Sequence, residues 1–424
     1  MADVAPALTR RLGVGDAVVL GLGSMLGAGV FAVYGPAASA AGAGLLIALA
    51  VAAVVAYCNA VSSAQLAAVY PVSGGTYAYG RARLGEWAGF TAGWAFLVGK
   101  TASCAAMALT IGGYLLPHHR LAQHLLGVLA VVAVAALNYR GIGKTLAVTR
   151  ILVTITLVVL AAFVTAVLTG GTVSAGHLSD WPSGPAGIAD VLQAAGLMFF
   201  AFAGYARIAT LGEEVRDPAV TIPRAIPAAL GIVVVVYAVV GVAALLVAGP
   251  QPLAGANAPL AAAADAAGRS GVTPVLRVGA TLAAAGSLLS LMAGIGRTGL
   301  AMARGGDLPG PLGAVHPRFR VPHRIELALA TVVGVLVLTV DLRGVLGFSS
   351  FGVLVYYALA NAAALTQPRA ERRWPRGVNI LGMVGCAVLA VALPGTSVVA
   401  GAGVIALGLL GRAVVRLRSV GVRR

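Results

Sequence analysis

Apolar runs about as long as a bilayer is thick, separated only by short polar or Pro/Gly-rich breaks, recur along all 424 residues of this chain. A membrane-crossing helix needs about 20 apolar residues, because the hydrocarbon core is about 30 Å thick and each helical residue rises about 1.5 Å. In that medium every backbone polar group must be satisfied within the protein, which leaves helices and closed barrels as spanning structures. A barrel reads as segments of about ten residues with alternating polarity. The runs here are instead continuous and rich in alanine, leucine and valine. An all-α membrane protein is therefore expected. Composition agrees, with 59% hydrophobic and 10% charged residues, against about 25% charged in soluble proteins. That excludes a cytosolic enzyme, and the absence of a three-residue glycine period excludes a collagen-like chain.

The breaks define twelve spans near 14–41, 44–69, 87–116, 121–139, 145–169, 187–211, 225–248, 273–303, 325–340, 343–366, 378–393 and 396–415. Positive charge tests this independently, since Lys and Arg concentrate in cytoplasmic loops. With the N-terminus inside, only Arg120, Arg269 and Arg343 of the 29 Lys and Arg fall in external loops, and five lie within spans or at their edges. The rest are cytoplasmic. The formal net charge of +16 is thus a topology signal, and no nucleic-acid partner is expected. Both termini are placed in the cytoplasm of a multi-pass plasma (inner) membrane protein. The organisation expected is a cytoplasmic segment 1–13, five-helix halves at 14–169 and 187–366, two further helices at 378–415, and a basic tail at 416–424. Cys58, Cys104 and Cys386 lie inside apolar runs and read as small core residues, with no disulfide framework. No signal peptide is read, because the first apolar run is about 28 residues long and is not followed by a soluble domain.

The most informative feature is where two spans are interrupted. Span one reads GLGSMLGAGVF (21–31), with glycines throughout an apolar run, and span six reads GLMFFAFAGYARIATLGEEV (196–215), with Gly204 midway. Glycine costs up to about 1 kcal/mol relative to alanine inside a helix. Close helix packing is one reading of such glycines. The pair says more, because spans one and six open consecutive five-helix sets, and an odd number of spans inverts direction. Interrupted segments at matching places in inverted halves point to a transporter binding site. An unwound stretch frees N–H and C=O groups, tolerable only where they line a cavity or meet a polar ligand. N–H groups at a half-helix start suit a carboxylate, and freed carbonyls suit an ammonium.

These residues resemble a known family. GLGSMLGAGVF, then YPVSGGTYAYGRARLGEWAGFTAGW (70–94), FFAFAGYARIATLGEEVRDPAVTIPRAI (199–226) and MARGGDLP (302–309) resemble, in order, segments of the amino acid–polyamine–organocation transporters. The likeness covers at least residues 10–310. It implies a five-plus-five inverted-repeat core of the LeuT type, two additional helices, and alternating-access transport of amino acids or related amines, without a cofactor. Carried over, the substrate carboxylate would meet backbone N–H groups around Gly27, Ala28 and Gly29. Its amino group would meet carbonyls near Met25, Phe200 and Ala203. Phe202 and Tyr205 are candidates for the gate or side-chain pocket, or are ordinary core aromatics. Gly204 serves backbone geometry.

Ionisable residues within spans are costly, and each is a functional candidate. Lys100 lies about one-third of the way into span three and either snorkels or acts in the site. Arg207 is a candidate to face a vestibule, bind a carboxylate, or pair with Glu213 or Glu214, which read as an inner-gate anchor. Arg297 in span eight is expected to face the inner vestibule. Many family members carry a lysine in span five that here aligns with Thr156. Thr156, Ser287 and Ser290 are therefore candidate oxygens for a small cation, Lys100 is the titratable alternative, and exchange without a coupled proton or sodium ion is the third possibility. No HExxH, Walker loop or CxxC is present, so neither catalysis nor a metal site is expected. A passive channel is the competing class, and ethanolamine or a polyamine the competing substrate.

Overall fold

The computed structural model describes residues 10–72, 74–141, 146–170, 173–179 and 184–421. Residues 1–9, together with Lys144, Arg423 and Arg424 of the charge argument, lie outside them. Three helices share the first apolar run, α1 (Val14–Met25), α2 (Ala28–Ala32) and α3 (Tyr34–Ala41), followed by α4 (Leu45–Val69). Next come α5 (Gly75–Leu84), α6 (Glu86–Leu115), α7 (Arg120–Tyr139) and α8 (Leu146–Gly170). The sixth run holds α9 (Gly184–Phe202), a 3-10 turn at Ala203–Tyr205 and α10 (Ala206–Ala209), and leads to α11 (Pro218–Ala248). Two short helices, α12 (Pro250–Ala254) and α13 (Pro259–Ala266), precede α14 (Thr273–Arg304). The chain ends in α15 (His323–Thr339), α16 (Leu342–Leu365), α17 (Arg376–Ala392) and α18 (Gly395–Gly421). Among the described residues there is no strand, only one bridge between Leu12 and Val215.

Ten helical stretches among the described residues are long and apolar enough to cross a membrane, and α17 is a shorter apolar helix. Apolar side chains are turned outward, as contact with lipid requires. Leu121, Leu125 and Leu129 on α7, Val158 on α8, and Leu407 and Leu410 on α18 are all more than half exposed. Helix α6 is the opposite case, enclosed along most of its length between α14 and α16. Its Gly99 faces Gly352 of α16 so closely that a Cβ on Gly352 would stand 2.9 Å from the Gly99 Cα. Small residues let membrane helices approach by backbone where lipid offers no hydrophobic drive.

Two expectations from the sequence are corrected. Span seven starts at Pro218 rather than 225, with Pro223 and Pro227 inside the helix. A proline in the first turn loses no hydrogen bond, and neighbouring helices accommodate the later ones. The connections around 70–86 and 249–272 are not plain loops but carry α5, α12 and α13. Buried Tyr77 and Tyr79 anchor α5, a tertiary effect no local pattern announces. Gly85, at φ +94°, makes the reversal from α5 into α6 that a side chain would resist.

A polar cluster ties α4, α16 and α17. Asn361 Nδ2 donates to Asn59 Oδ1 at 2.6 Å and to the Tyr357 carbonyl at 2.8 Å, and its Oδ1 accepts from Ser62 Oγ at 2.7 Å. Asn379 Nδ2 donates to Ser62 Oγ at 2.6 Å. Asn361→Leu leaves Asn59 Oδ1 with only the weak Cys386 thiol donor and Ser62 with only the Cys58 carbonyl to donate to, a loss of about 1–3 kcal/mol in this apolar setting. The expected result is a lower thermal midpoint in detergent, and an unchanged midpoint would show that the cluster contributes nothing.

Candidate functional site

The two interruptions meet. Helix α1 ends at Met25 and α2 begins at Ala28, leaving Leu26 and Gly27 between them. Helix α9 gives way at Ala203 to the 3-10 turn. A Cβ on Gly29 would stand 2.7 Å from the Ala201 Cα, and one on Gly204 would stand 2.7 Å from the Met25 nitrogen. A Cβ on Gly27 would collide with the Ser287 side chain of α14. These three glycines therefore let the two broken helices touch through their backbones and let the Ser287 side chain of α14 reach the first break.

A cavity of about 660 Å³ opens beside this junction, within the range of small-molecule sites. The first break contributes Ser24, Met25, Ala28 and Gly29, and the second contributes Phe200, Ala201, Ala203 and Gly204. Helix α6 adds Phe96, Lys100, Ser103 and Met107, while α14 adds Ser287, Ser290, Leu291 and Arg297. The cavity extends past Arg207 to Glu213 and Glu214, on the face where Arg11 and Leu12 donate backbone bonds to the Glu214 carbonyl at 3.0 and 3.1 Å. The other end is covered. Tyr114 hydroxyl donates to the Phe31 carbonyl at 2.9 Å and accepts from Leu260 N–H at 3.4 Å, joining α6, α2 and α13.

Of the residues singled out from the sequence, Met25, Ala28, Gly29, Phe200, Ala203, Gly204, Lys100, Arg207, Glu213, Glu214, Ser287 and Ser290 line this cavity. Gly27 instead packs on Ser287. Phe202 lies behind the break, its ring 5.2 Å from that of Tyr237, and Tyr205 stacks on Tyr357 at 4.9 Å. Thr156 is buried on α8 away from the cavity lining, with Oγ1 bonded to the Leu152 carbonyl at 2.8 Å. Ser287 Oγ donates to the Gly23 carbonyl at 3.1 Å. Arg207 enters none of the ion pairs among the described residues.

Three carbonyls at the breaks, those of Met25, Ala201 and Ala203, already have side-chain partners inside the protein. Tyr237 hydroxyl reaches the Met25 carbonyl at 2.6 Å and the Ala201 carbonyl at 3.0 Å. Lys100 Nζ donates to the Ala203 carbonyl at 3.0 Å, and Tyr357 hydroxyl donates to the same oxygen at 3.3 Å. Sequence reading did not select Tyr237 or Tyr357, which sit in apolar runs with no local signal of their role. It also passed over Glu326, a buried carboxylate whose Oε2 has no hydrogen-bond partner among the described residues. An acidic residue at the start of the ninth run was the available signal.

A second charged cluster lies at the same face as Glu213 and Glu214. Asp307, just past α14, accepts from Tyr77 hydroxyl at 2.9 Å, pairs with Arg81 at 3.0 Å, and pairs with Arg412 of α18. Glu86 pairs with Arg81 at 3.6 Å, with Arg412 at 3.8 Å, and with Arg416. Arg412 also lies over the Phe90 ring at 4.6 Å. Burial, and then the bond to Asp307, push the Tyr77 phenol up from its ordinary value.

A profile described as amino acid permease matches residues 12–408. An uncharacterized transporter of Mycobacterium tuberculosis is 58% identical over 415 residues, which are 98% of this chain and 93% of that protein. The branched-chain amino acid permease BcaP of Bacillus subtilis is 28% identical over 89% of this chain and 85% of its own length. A methylthioribose transporter of Bacillus subtilis is 27% identical over 85% of this chain and 80% of its own.

Proposed function

Because the chain belongs to the amino acid permease family, a family of transporters and not of enzymes, we propose that it is a secondary active transporter moving an amino acid or a close structural analogue by alternating access. The observation that carries this reading is the cavity at the meeting of the two helix breaks, continuous toward Glu213 and Glu214 and covered beyond Phe31 and Tyr114. In this reading the conformation faces the cytoplasm. The arrangement is twelve spans, α15 and α17 included, with halves 14–169 and 187–366 inverted about an axis in the membrane plane. Helices 11 and 12 follow, and both termini are cytoplasmic in the plasma (inner) membrane. Backbone N–H groups at Ala28 and Gly29 hold the substrate's carboxylate. Ser287 and Ser290 are the cation candidates that reach the cavity, and Lys100 is its buried titratable group.

Relatives named for a branched-chain amino acid and for methylthioribose leave the substrate to be read from the site. Three cations, Lys100, Arg207 and Arg297, line the cavity, which weighs against ethanolamine or a polyamine. A passive channel is tested by counterflow. Ligands are first selected by thermal shift from amino acids, amines and their deaminated analogues, since binding raises the midpoint. Proteoliposomes preloaded with the unlabelled ligand are expected to take up labelled ligand several-fold faster than empty ones. Equal rates would remove the carrier reading.

A further inference from the structure

We propose that the Lys100 ammonium is the resident cation of the carbonyl site, so that the substrate is a small monocarboxylate lacking an α-ammonium, such as a 2-hydroxy or 2-oxo acid. This rests on the carrier reading of the cavity. A carbonyl oxygen offers two lone pairs. At Ala203 one is taken by Lys100 Nζ at 3.0 Å and the other by Tyr357 hydroxyl at 3.3 Å. The Met25 carbonyl is held by Tyr237 at 2.6 Å. An incoming ammonium therefore finds the Ala203 oxygen filled and the Met25 oxygen with one lone pair left, and next to Lys100 it meets a like charge in a poorly solvated site.

The charge balance points the same way. Lys100 is 7% exposed and enters none of the ion pairs among the described residues. A buried cation without a counter-ion is costly and is relieved by an anion. Of the three cations that face the cavity, Arg207 is within electrostatic reach of Glu214 and Arg297 of Glu326, which leaves Lys100 with no carboxylate acting on it among the described residues. A carboxylate brought by the substrate supplies the missing charge. A hydroxyl or keto oxygen at its second carbon accepts from Lys100, whose ammonium keeps two donors beyond the Ala203 bond, where an ammonium could only donate. Phe96, Met107 and Leu291 offer apolar surface to the remainder.

The test measures binding by thermal shift and uptake into proteoliposomes for L-alanine, L-leucine and L-phenylalanine, each beside its 2-hydroxy and 2-oxo analogue. For the wild type, at least one analogue is expected to bind about tenfold or more tightly than the amino acid of the same skeleton. Lys100→Met is expected to reverse that order, by freeing the Ala203 carbonyl and removing the cation. An amino acid bound more tightly than both its analogues by the wild type overturns the proposal and leaves the carrier reading standing. That comparison holds whether or not Lys100→Met folds. Binding of neither class, with no uptake, overturns both.

Discussion

Gly29→Leu is expected to abolish uptake at normal expression, while Ala28→Ser keeps most of it. Gly29 lies one residue into α2, and even a bare Cβ there would stand 2.7 Å from the Ala201 Cα and 2.8 Å from the Ala201 Cβ. No contact of that kind persists without movement, and the neighbour is the backbone of α9, not a flexible chain end. Overfilling a packed site typically costs about 1–3 kcal/mol, and here the same shift parts the two breaks that form the cavity. Ala28 lines the cavity itself, so one added oxygen has room beside it. Uptake, surface expression and thermal midpoint are to be measured together. Gly29→Leu that transports like the parent would place the binding site elsewhere, and Ala28→Ser failing to the same degree would show that bulk at Gly29 is not what decides.

Asp307→Ala is expected to cost about 3–5 kcal/mol, the usual penalty for breaking a buried ion pair from one side. The Asp307 and Arg412 side chains are each 4% exposed, so removing the carboxylate strands the Arg412 guanidinium, left with the longer contact to exposed Glu86 at 3.8 Å and the Trp87 and Phe90 rings. Because Asp307 also holds Arg81 and Tyr77, α5, the end of α14 and α18 loosen together. The measurement is thermal unfolding of purified protein, followed by proteolysis near α18. Arg412→Met replaces the cation as well as its bonds, and the double variant Asp307→Ala with Arg412→Met is expected to recover part of the loss. A single variant as stable as the parent would show that the cluster is solvated and holds nothing.

Helix order and most boundaries could be read from the sequence because hydrophobic thickness is a one-dimensional requirement: α6, α7, α8 and α14 each match an apolar run to within two residues. The two interruptions were legible for a related reason, since glycine acts on the chain that carries it, wherever that chain packs. Tertiary structure alone decided which carbonyls at the breaks remain open, because their partners Tyr237, Lys100 and Tyr357 come from α11, α6 and α16, remote in sequence. It also decided that Phe202 and Tyr205 turn away from the cavity and that Thr156 does not reach its lining. The direction of a side chain around a helix that is apolar on every face carries no periodic signal. In a bilayer the contrast between inside and outside that would mark a buried face in water is missing, so those orientations follow only from packing.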